Sequence, residues 1–307
     1  MLGAAVGRPI RAHGQTMDPT MSALVRFVRR IAPEPRPGLR QLRTAYAEAS
    51  QLTGLKPDRS VGVQDMMAGG CAARLYDPPG PAAATMLYFH GGGFMMGSVA
   101  THDALCRRLA ARAGVRILSA GYRLAPEHPF PAAHDDAASA LAWAQANLPG
   151  PLLVGGDSAG GNLAAGLARD GAVRLQALLY PVVDMVHVAG AYPSLDLFAD
   201  GYLLTAQGMA ECAKLLIPGD QDRADPRLSP LRADLSRAAP ALIMTAGFDP
   251  LRDQGAAYAA AMRASGRPAT LLEEPALVHG FADFAGAAPE ARRAVDRFAA
   301  AIRAALC

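Results

Sequence analysis

The stretch Leu152-Leu153-Val154-Gly155-Gly156-Asp157-Ser158-Ala159-Gly160-Gly161 decides how the rest of the chain is read. It opens on an apolar run of buried-strand character. It then passes through Gly156-Asp157-Ser158-Ala159-Gly160, a G-x-S-x-G pattern, into the Ala/Leu-rich helical pattern Asn162 to Arg169. Strand, sharp turn and helix together are the context of a nucleophile elbow. Such a turn lifts Ser158 to the tip of a sheet in a strained conformation. Gly156 and Gly160, with Gly161, keep side chains out of the crowded space on either side. The helix N-terminus beneath offers a positive dipole end and free N–H groups. A phosphate loop would need G-x-x-x-x-G-K-[ST] or G-x-G-x-x-G, and neither is present here.

Outward from this stretch, strands and helices alternate. Strands are expected near Thr85–Phe89, Val115–Ala120, Leu152–Val154, Leu175–Tyr180, Ala241–Ala246 and Thr270–Glu273. Helices are expected near His102–Ala113, Ala133–Ala146, Asn162–Arg169, Leu251–Ala264 and Pro289–Ala304. Alternation of this kind implies an α/β fold, a mostly parallel sheet with helices on both faces. A hairpin precedes it, with strands near Ser60–Met67 and Cys71–Asp77 joined by Ala68-Gly-Gly70. Before the hairpin come two helical segments. In Ala23–Ile31, Ser22 is the expected cap, and Leu24, Phe27, Val28 and Ile31 share one face. The second runs over Leu39–Gln51, after the helix-breaking Pro33-Glu-Pro-Arg-Pro37. The strand–helix rhythm is broken once, between Tyr180 and Ala241, a gap too long for an ordinary connection. The expected division is 1–53 (tail and cap helices), 54–183 (first part of the core), 184–217 (cap insertion) and 218–307 (second part of the core). Residues 1–16 show no apolar periodicity, so a chain starting at Met17 is expected to keep its activity.

Bulk properties narrow the function classes. The chain has 307 residues and a net charge of +3, with arginine carrying nearly all the positive charge; Lys56 and Lys214 are the only lysines. The arginines are interleaved with acids and form no nucleic-acid stripe. Cys71, Cys106, Cys212 and Cys307 are far apart, without a CxxC or Cys/His cluster. That argues against a metal site or disulfide framework and suits a cytoplasmic protein. No apolar run is long enough for a membrane span, and the N-terminus lacks a signal-peptide core.

An activated serine needs a base, an orienter for that base and donors for an oxyanion, all just past strand ends in a doubly wound sheet. Thr85–Phe89 runs into His90-Gly-Gly-Gly-Phe94, whose Gly91 and Gly92 amides can join that of Ala159 as oxyanion donors. His90 itself reads as a shaper of this loop. Ala241–Ala246 runs into Gly247-Phe-Asp-Pro250, placing Asp249 at a strand end. Thr270–Glu273 is followed by Pro275-Ala-Leu-Val-His-Gly-Phe281, placing His279 in the last loop. Ser158, Asp249 and His279 then occur in the chain order of α/β-hydrolases. Taken singly, Asp249 could be a helix cap and His279 a surface histidine. Arg123, Glu127, Asp135 and Asp136 read as a structural ion-pair network. His102, His128, His134 and His187 are not at the position expected of the base.

These residues carry a resemblance. The chain is similar to the hormone-sensitive-lipase-like branch of the α/β-hydrolases, the bacterial family IV esterases. The matching stretches are His90-Gly-Gly-Gly-Phe94, Tyr122-Arg-Leu-Ala-Pro-Glu-His-Pro-Phe-Pro131, Gly156-Asp-Ser-Ala-Gly-Gly-Asn162, Asp225-Pro-Arg-Leu-Ser-Pro-Leu231, Gly247-Phe-Asp-Pro-Leu-Arg-Asp253 and His279-Gly-Phe281. Asp157 beside the serine matches the G-D-S-A-G subgroup. Gln254 departs from the acid usual there, which should alter a hydrogen bond at the helix start. The resemblance implies hydrolysis of short-chain carboxylic esters with neither metal nor organic cofactor, a helical cap over the site, and a homodimer. An amidase or lactonase on the same site is the alternative within enzymes. A small-ligand receptor of this fold would lack the base, and the joint presence of Ser158, Asp249 and His279 argues against it.

Overall fold

A computed structural model describes residues 8–31, 38–186 and 190–307. The breaker run Pro33–Pro37 and His187 lie outside the described residues. The chain opens with a small antiparallel ladder, β1 (Arg11–Ala12) and β2 (Gln15–Thr16), followed by helices α1 (Pro19–Ile31) and α2 (Leu39–Thr53). The hairpin β3 (Gly62–Ala68) and β4 (Cys71–Asp77) comes next. The alternating part is β5 (Thr85–Phe89), α3 (Asp103–Ala113), β6 (Arg116–Ala120), α4 (Ala132–Asn147), β7 (Leu152–Asp157), α5 (Ala159–Leu167) and β8 (Leu175–Leu179). Between β8 and the next strand lie α6 (Pro193–Leu197) and α7 (Ala206–Leu216), in the segment expected as an insertion. The chain closes with β9 (Ala241–Phe248), α8 (Arg252–Ala264), β10 (Ala269–Val278) and α9 (Pro289–Ala304).

The main sheet has eight strands in the order β10-β9-β8-β7-β5-β6-β4-β3. Strands from β10 to β6 are parallel, and the hairpin joins antiparallel through β4. Successive residues of a strand point to opposite faces, so each central strand feeds two apolar layers. Met86, Tyr88, Ile117 and Leu153 enter one layer with residues of α1, α3 and α9. Leu87, Phe89, Leu118 and Val154 enter the other with residues of α4, α5 and α8. Each fully buried aliphatic side chain is worth roughly 1.5–3 kcal/mol, and this two-sided burial explains why these strands read as continuous apolar runs.

β7, β9 and β10 run further than their sequence suggests, β9 by Gly247 and Phe248. β7 continues through Gly155 and Gly156, which stay paired with Tyr88 and Phe89 on one side and Ala177 and Leu178 on the other. β10 runs through Pro275 to Val278, with its register to β9 shifting between Glu274 and Val278. Proline has no N–H for a ladder and is tolerated at an edge or a bulge. β10 is that edge.

The N-terminal region corrects three expectations. Ser22 is not the cap of α1. Pro19 occupies the first helical position, and the Asp18 carboxylate accepts from the Met21 amide at 2.9 Å, the geometry of an N-cap. Ser22 is buried, and its hydroxyl accepts from the Ile10 amide at 2.9 Å. Second, the apolar face is rotated. Met17, Met21 and Val25, four residues apart, enter the core, whereas Phe27 and Ile31 are 58% and 59% exposed. Third, residues 8–16 are seated against the body rather than trailing from it. The Met17 amide donates to Ile10, the Asp18 amide donates to Ala276 of β10 at 2.9 Å, and the His13 ring meets Phe198 edge-on.

Candidate active site

The elbow is built by backbone geometry. Ser158 sits between β7 and α5 at φ 51°, ψ −115°, a sparsely populated conformation that costs on the order of 1–3 kcal/mol. Its amide is held by the Leu179 carbonyl at 2.9 Å. A Cβ on Gly160 would lie 2.0 Å from the Phe89 carbonyl oxygen, and one on Gly156 would lie 2.4 Å from the Gly160 carbonyl carbon. No larger residue fits either place without moving β5.

Three strand ends converge on this serine. His279 directly follows β10, and its Nε2 lies 2.9 Å from Ser158 Oγ. Its Nδ1 lies 2.8 Å from Asp249 Oδ2. A neutral imidazole protonated on Nδ1 donates to Asp249 and accepts the serine hydroxyl. Asp249 is fully buried, and its Oδ1 accepts from the Leu251 amide at 2.7 Å. It is therefore both a turn former before α8 and the partner of His279, one oxygen for each. Asp253 is not a competitor. Its carboxylate accepts from the Ser194 amide at 2.8 Å and from Arg252 at 2.8 Å.

The glycine loop departs from the expectation at one residue. The Gly91 amide donates to Asp157 Oδ1 at 2.9 Å and is not free for an oxyanion. Gly92 and Gly93 border the cavity beside Ser158 and Ala159. Their amides and that of Ala159 have no acceptor among the described residues. Gly92 and Gly93 adopt φ values of 116° and 61°, open to glycine at little cost. Gly93, a cavity-bordering residue with an unclaimed amide, is absent from the donors expected from sequence. The signal was Asp157, a buried acceptor able to claim the first glycine amide.

Beneath the elbow lies a buried ion pair. Asp157 Oδ1 also accepts from the Tyr88 hydroxyl at 2.8 Å and lies 3.2 Å from His102 Nε2. Burial opposes both charges. Their mutual attraction nevertheless raises His102 to about 9 and holds Asp157 below the usual carboxylate range. His90 shapes its loop as expected. Its Nδ1 donates to the Gly91 carbonyl at 2.8 Å, its ring stacks on Tyr122, and burial pushes the imidazole down to about 4. Asp283, on the short 3-10 turn Phe281–Phe284 after His279, also borders the cavity. Its Oδ2 accepts from the Tyr46 hydroxyl at 3.0 Å, and burial raises the carboxyl to about 6.

The outer motifs hold the frame. Asn162 donates to the Val182 and Leu228 carbonyls and accepts from His134. Gln254 accepts from the Val183 and Asp184 amides, so the departure from the usual acid ties α8 to the start of the insertion. The expected ion-pair network is several separate pairs: Arg123 with Asp136, Arg227 with Asp225 and more distantly Asp135, and Glu127 with Arg43 of α2. The serine faces a cavity of about 700 Å³. Its walls include Val28 and Tyr46 from the N-terminal helices and Leu204, Met209 and Leu216 from the insertion. Among the described residues, no helix is long and apolar enough to cross a membrane.

Known proteins resemble this chain in sequence and fold. A family model described as the alpha/beta hydrolase fold matches residues 86–283. The carboxylic ester hydrolase LipN of Mycobacterium tuberculosis is 42% identical over 90% of this chain and 80% of its own length. An ethyl acetate hydrolase of Pseudomonas putida is 39% identical over 78% of this chain and 82% of its own. Among solved structures, an esterase of the archaeon Pyrobaculum calidifontis superposes with a TM-score of 0.85 at 35% identity, covering 95% of this chain and 99% of that one. The chain belongs to the α/β-hydrolase family, in its hormone-sensitive-lipase-like branch.

Proposed function

We propose that this protein is a serine carboxylesterase acting on short-chain acyl esters. Ser158 Oγ attacks the ester carbonyl while His279 Nε2 takes its proton. Asp249 holds the imidazole in the needed tautomer and stabilises the imidazolium that forms. The oxyanion is met by the amides of Gly92, Gly93 and Ala159 at the N-terminus of α5. Collapse breaks the ester C–O bond, and His279 returns its proton to the leaving alcohol. Water then enters, gives a proton to His279, and attacks the acyl-serine. The second collapse releases the acid and restores Ser158. The observation that carries this reading is the unbroken hydrogen-bond chain from Ser158 Oγ through His279 to Asp249.

The two segments outside the core rhythm, residues 17–53 and 184–217, form the roof over the acyl pocket in this reading. Both contribute to the cavity walls. The relative named for ethyl acetate supports a small acyl group. Cys71, Cys106, Cys212 and Cys307 are free thiols, in keeping with work in the cytoplasm. Ser158→Ala should lower kcat on p-nitrophenyl butyrate by roughly 10⁴–10⁶-fold with circular dichroism unchanged. Retention of more than about a tenth of the parent turnover would remove Ser158 from the mechanism.

A further inference from the structure

α2 is unusual for a helix of this length, because none of its residues is fully buried. Its half-buried positions are Leu39, Leu42, Arg43, Tyr46, Ala47, Ser50 and Thr53, and the spacing of Arg43, Tyr46, Ser50 and Thr53 places those four on one stripe of the helix. Arg43, Tyr46 and Thr53 of that stripe reach distant loops by hydrogen bonds rather than by apolar packing. Near one end, Arg43 Nε donates to the Met95 carbonyl at 2.7 Å, two residues beyond Gly93. The same guanidinium donates to the Ala125 carbonyl at 3.0 Å and to both Glu127 oxygens at 2.7 Å. Towards the other end, Tyr46 donates to Asp283 Oδ2 at 3.0 Å, and Thr53 Oγ1 donates to the Asp283 carbonyl at 2.9 Å. The Gly286 and Ala287 amides close on the Thr53 carbonyl at 3.0 and 3.1 Å. Asp283 stands four residues past His279.

We propose that α2 is a polar brace that sets the spacing between the loop carrying the oxyanion donors and the loop carrying His279. A helix is stiff, and Arg43 to Thr53 spans about 15 Å at the helical rise. The two loops come from opposite halves of the core, after β5 and after β10, and neither bonds the other directly. Exposed ion pairs add little net stability, so the retained geometry of these contacts is their main effect. Arg43, Tyr46 and Thr53 are positioning residues; the chemistry stays with Ser158, His279 and the loop amides. The inference rests on the proposed roles of those groups.

The test is a double-mutant cycle with p-nitrophenyl butyrate. Arg43→Gln releases one end, and Tyr46→Phe with Thr53→Val, made together and treated as one variant, removes the side-chain bonds of the other. Each should lower kcat about tenfold with KM little changed, since a displacement well under 1 Å at a reacting centre carries penalties of this size. The double variant should lose little more than the worse single, because a brace freed at one end no longer transmits from the other. Should Arg43→Gln fail to fold, Arg43→Lys keeps the charge but not the fork that reaches three partners at once. Glu48→Gln, on the exposed side of α2, is the control and should match the parent.

Single variants that keep more than half the parent kcat, with or without a fall in Tm, would make α2 merely structural and overturn the proposal. Losses that multiply to about a hundredfold would show two independent contacts and overturn it as well. Hydrogen exchange gives the same answer without turnover. Each single variant should speed exchange at both residues 91–96 and 279–286, and faster exchange confined to its own end would contradict the brace. The nucleophile reading fails separately, on Ser158→Ala alone.

Discussion

The elbow and the N-terminal region are positioned by different physics. Around Ser158, position follows from backbone: paired strands on both sides of β7, glycines where an added Cβ would lie 2.0–2.4 Å from neighbouring backbone atoms, and a strained serine φ of 51°. In the described N-terminal residues up to Thr53, position follows from side chains reaching far along the sequence: Ser22 back to Ile10, Arg43 to Glu127, Tyr46 to Asp283. Errors in the first region should therefore abolish chemistry, and errors in the second should degrade stability or alignment. Within the N-terminal region the two helices differ again. α1 puts Met21 and Val25 into the core, while α2 buries nothing fully.

The largest effect should come from the core. Asp249→Asn should lower kcat by about 10³–10⁴-fold by favouring the wrong imidazole tautomer. Asp253→Asn, whose partners are Ser194 and Arg252, should change kcat by less than about fivefold, because it touches no reacting group. Steady-state kinetics of the two variants ranks them, and the opposite ranking would move the acid. Gly160→Ala comes next. Its methyl must displace the Phe89 carbonyl, and with it Ser158 or the glycine loop, so kcat should fall by about 10² or more. An alanine variant with parent-like turnover would show that backbone crowding does not set the elbow.

Smaller effects are expected in the N-terminal region. The sequence alone leads to the expectation that a chain starting at Met17 keeps its activity, and says nothing of its stability. Loss of the Ile10 contacts with Met17 and Ser22 should lower Tm by on the order of 5 °C, while kcat on the butyrate ester changes by less than about threefold. Scanning calorimetry beside an esterase assay separates the two quantities, and an unchanged Tm would return residues 8–16 to the status of a tail. The smallest effect concerns the pair under the elbow. His102 keeps its proton to about 9 when folded and to about 6.5 when unfolded. Its stabilising contribution is full below about 6.5 and is lost as the pH rises towards about 9. Urea midpoints should decline over that window, and His102→Gln should flatten the decline. A variant with the same slope as the parent would remove the charge from His102.

The parts legible in the sequence are those encoded by backbone rules. Glycines flanking Ser158, three glycines after a strand, and an acid and a histidine after later strands can be read because each sits at a fixed offset from a strand end. The apolar runs gave the strand order of events along the chain, though β7 and β10 ran longer, because neighbouring strands kept pairing through Gly155, Gly156 and the bulge at Pro275. The parts not legible depend on which partner wins a side chain or amide. Gly91 reads as an oxyanion donor in sequence because nothing local shows that Asp157, 66 positions on, takes its amide. Ser22 precedes the apolar pattern and so reads as a cap, whereas Asp18, with Pro19 after it, starts the helix earlier. Glu127 stands near Arg123 in sequence, while its partner Arg43 stands 84 positions away.

The most direct test of the account is covalent capture. The enzyme is treated with p-nitrophenyl ethylphosphonate, and p-nitrophenol release is followed beside intact-mass and peptide mass spectrometry. One equivalent of p-nitrophenol, one phosphonyl adduct per chain on the peptide bearing Ser158, and loss of esterase activity in step with labelling are expected. Ser158→Ala should take no label. An adduct on another residue, or inhibition without an adduct on Ser158, would contradict it.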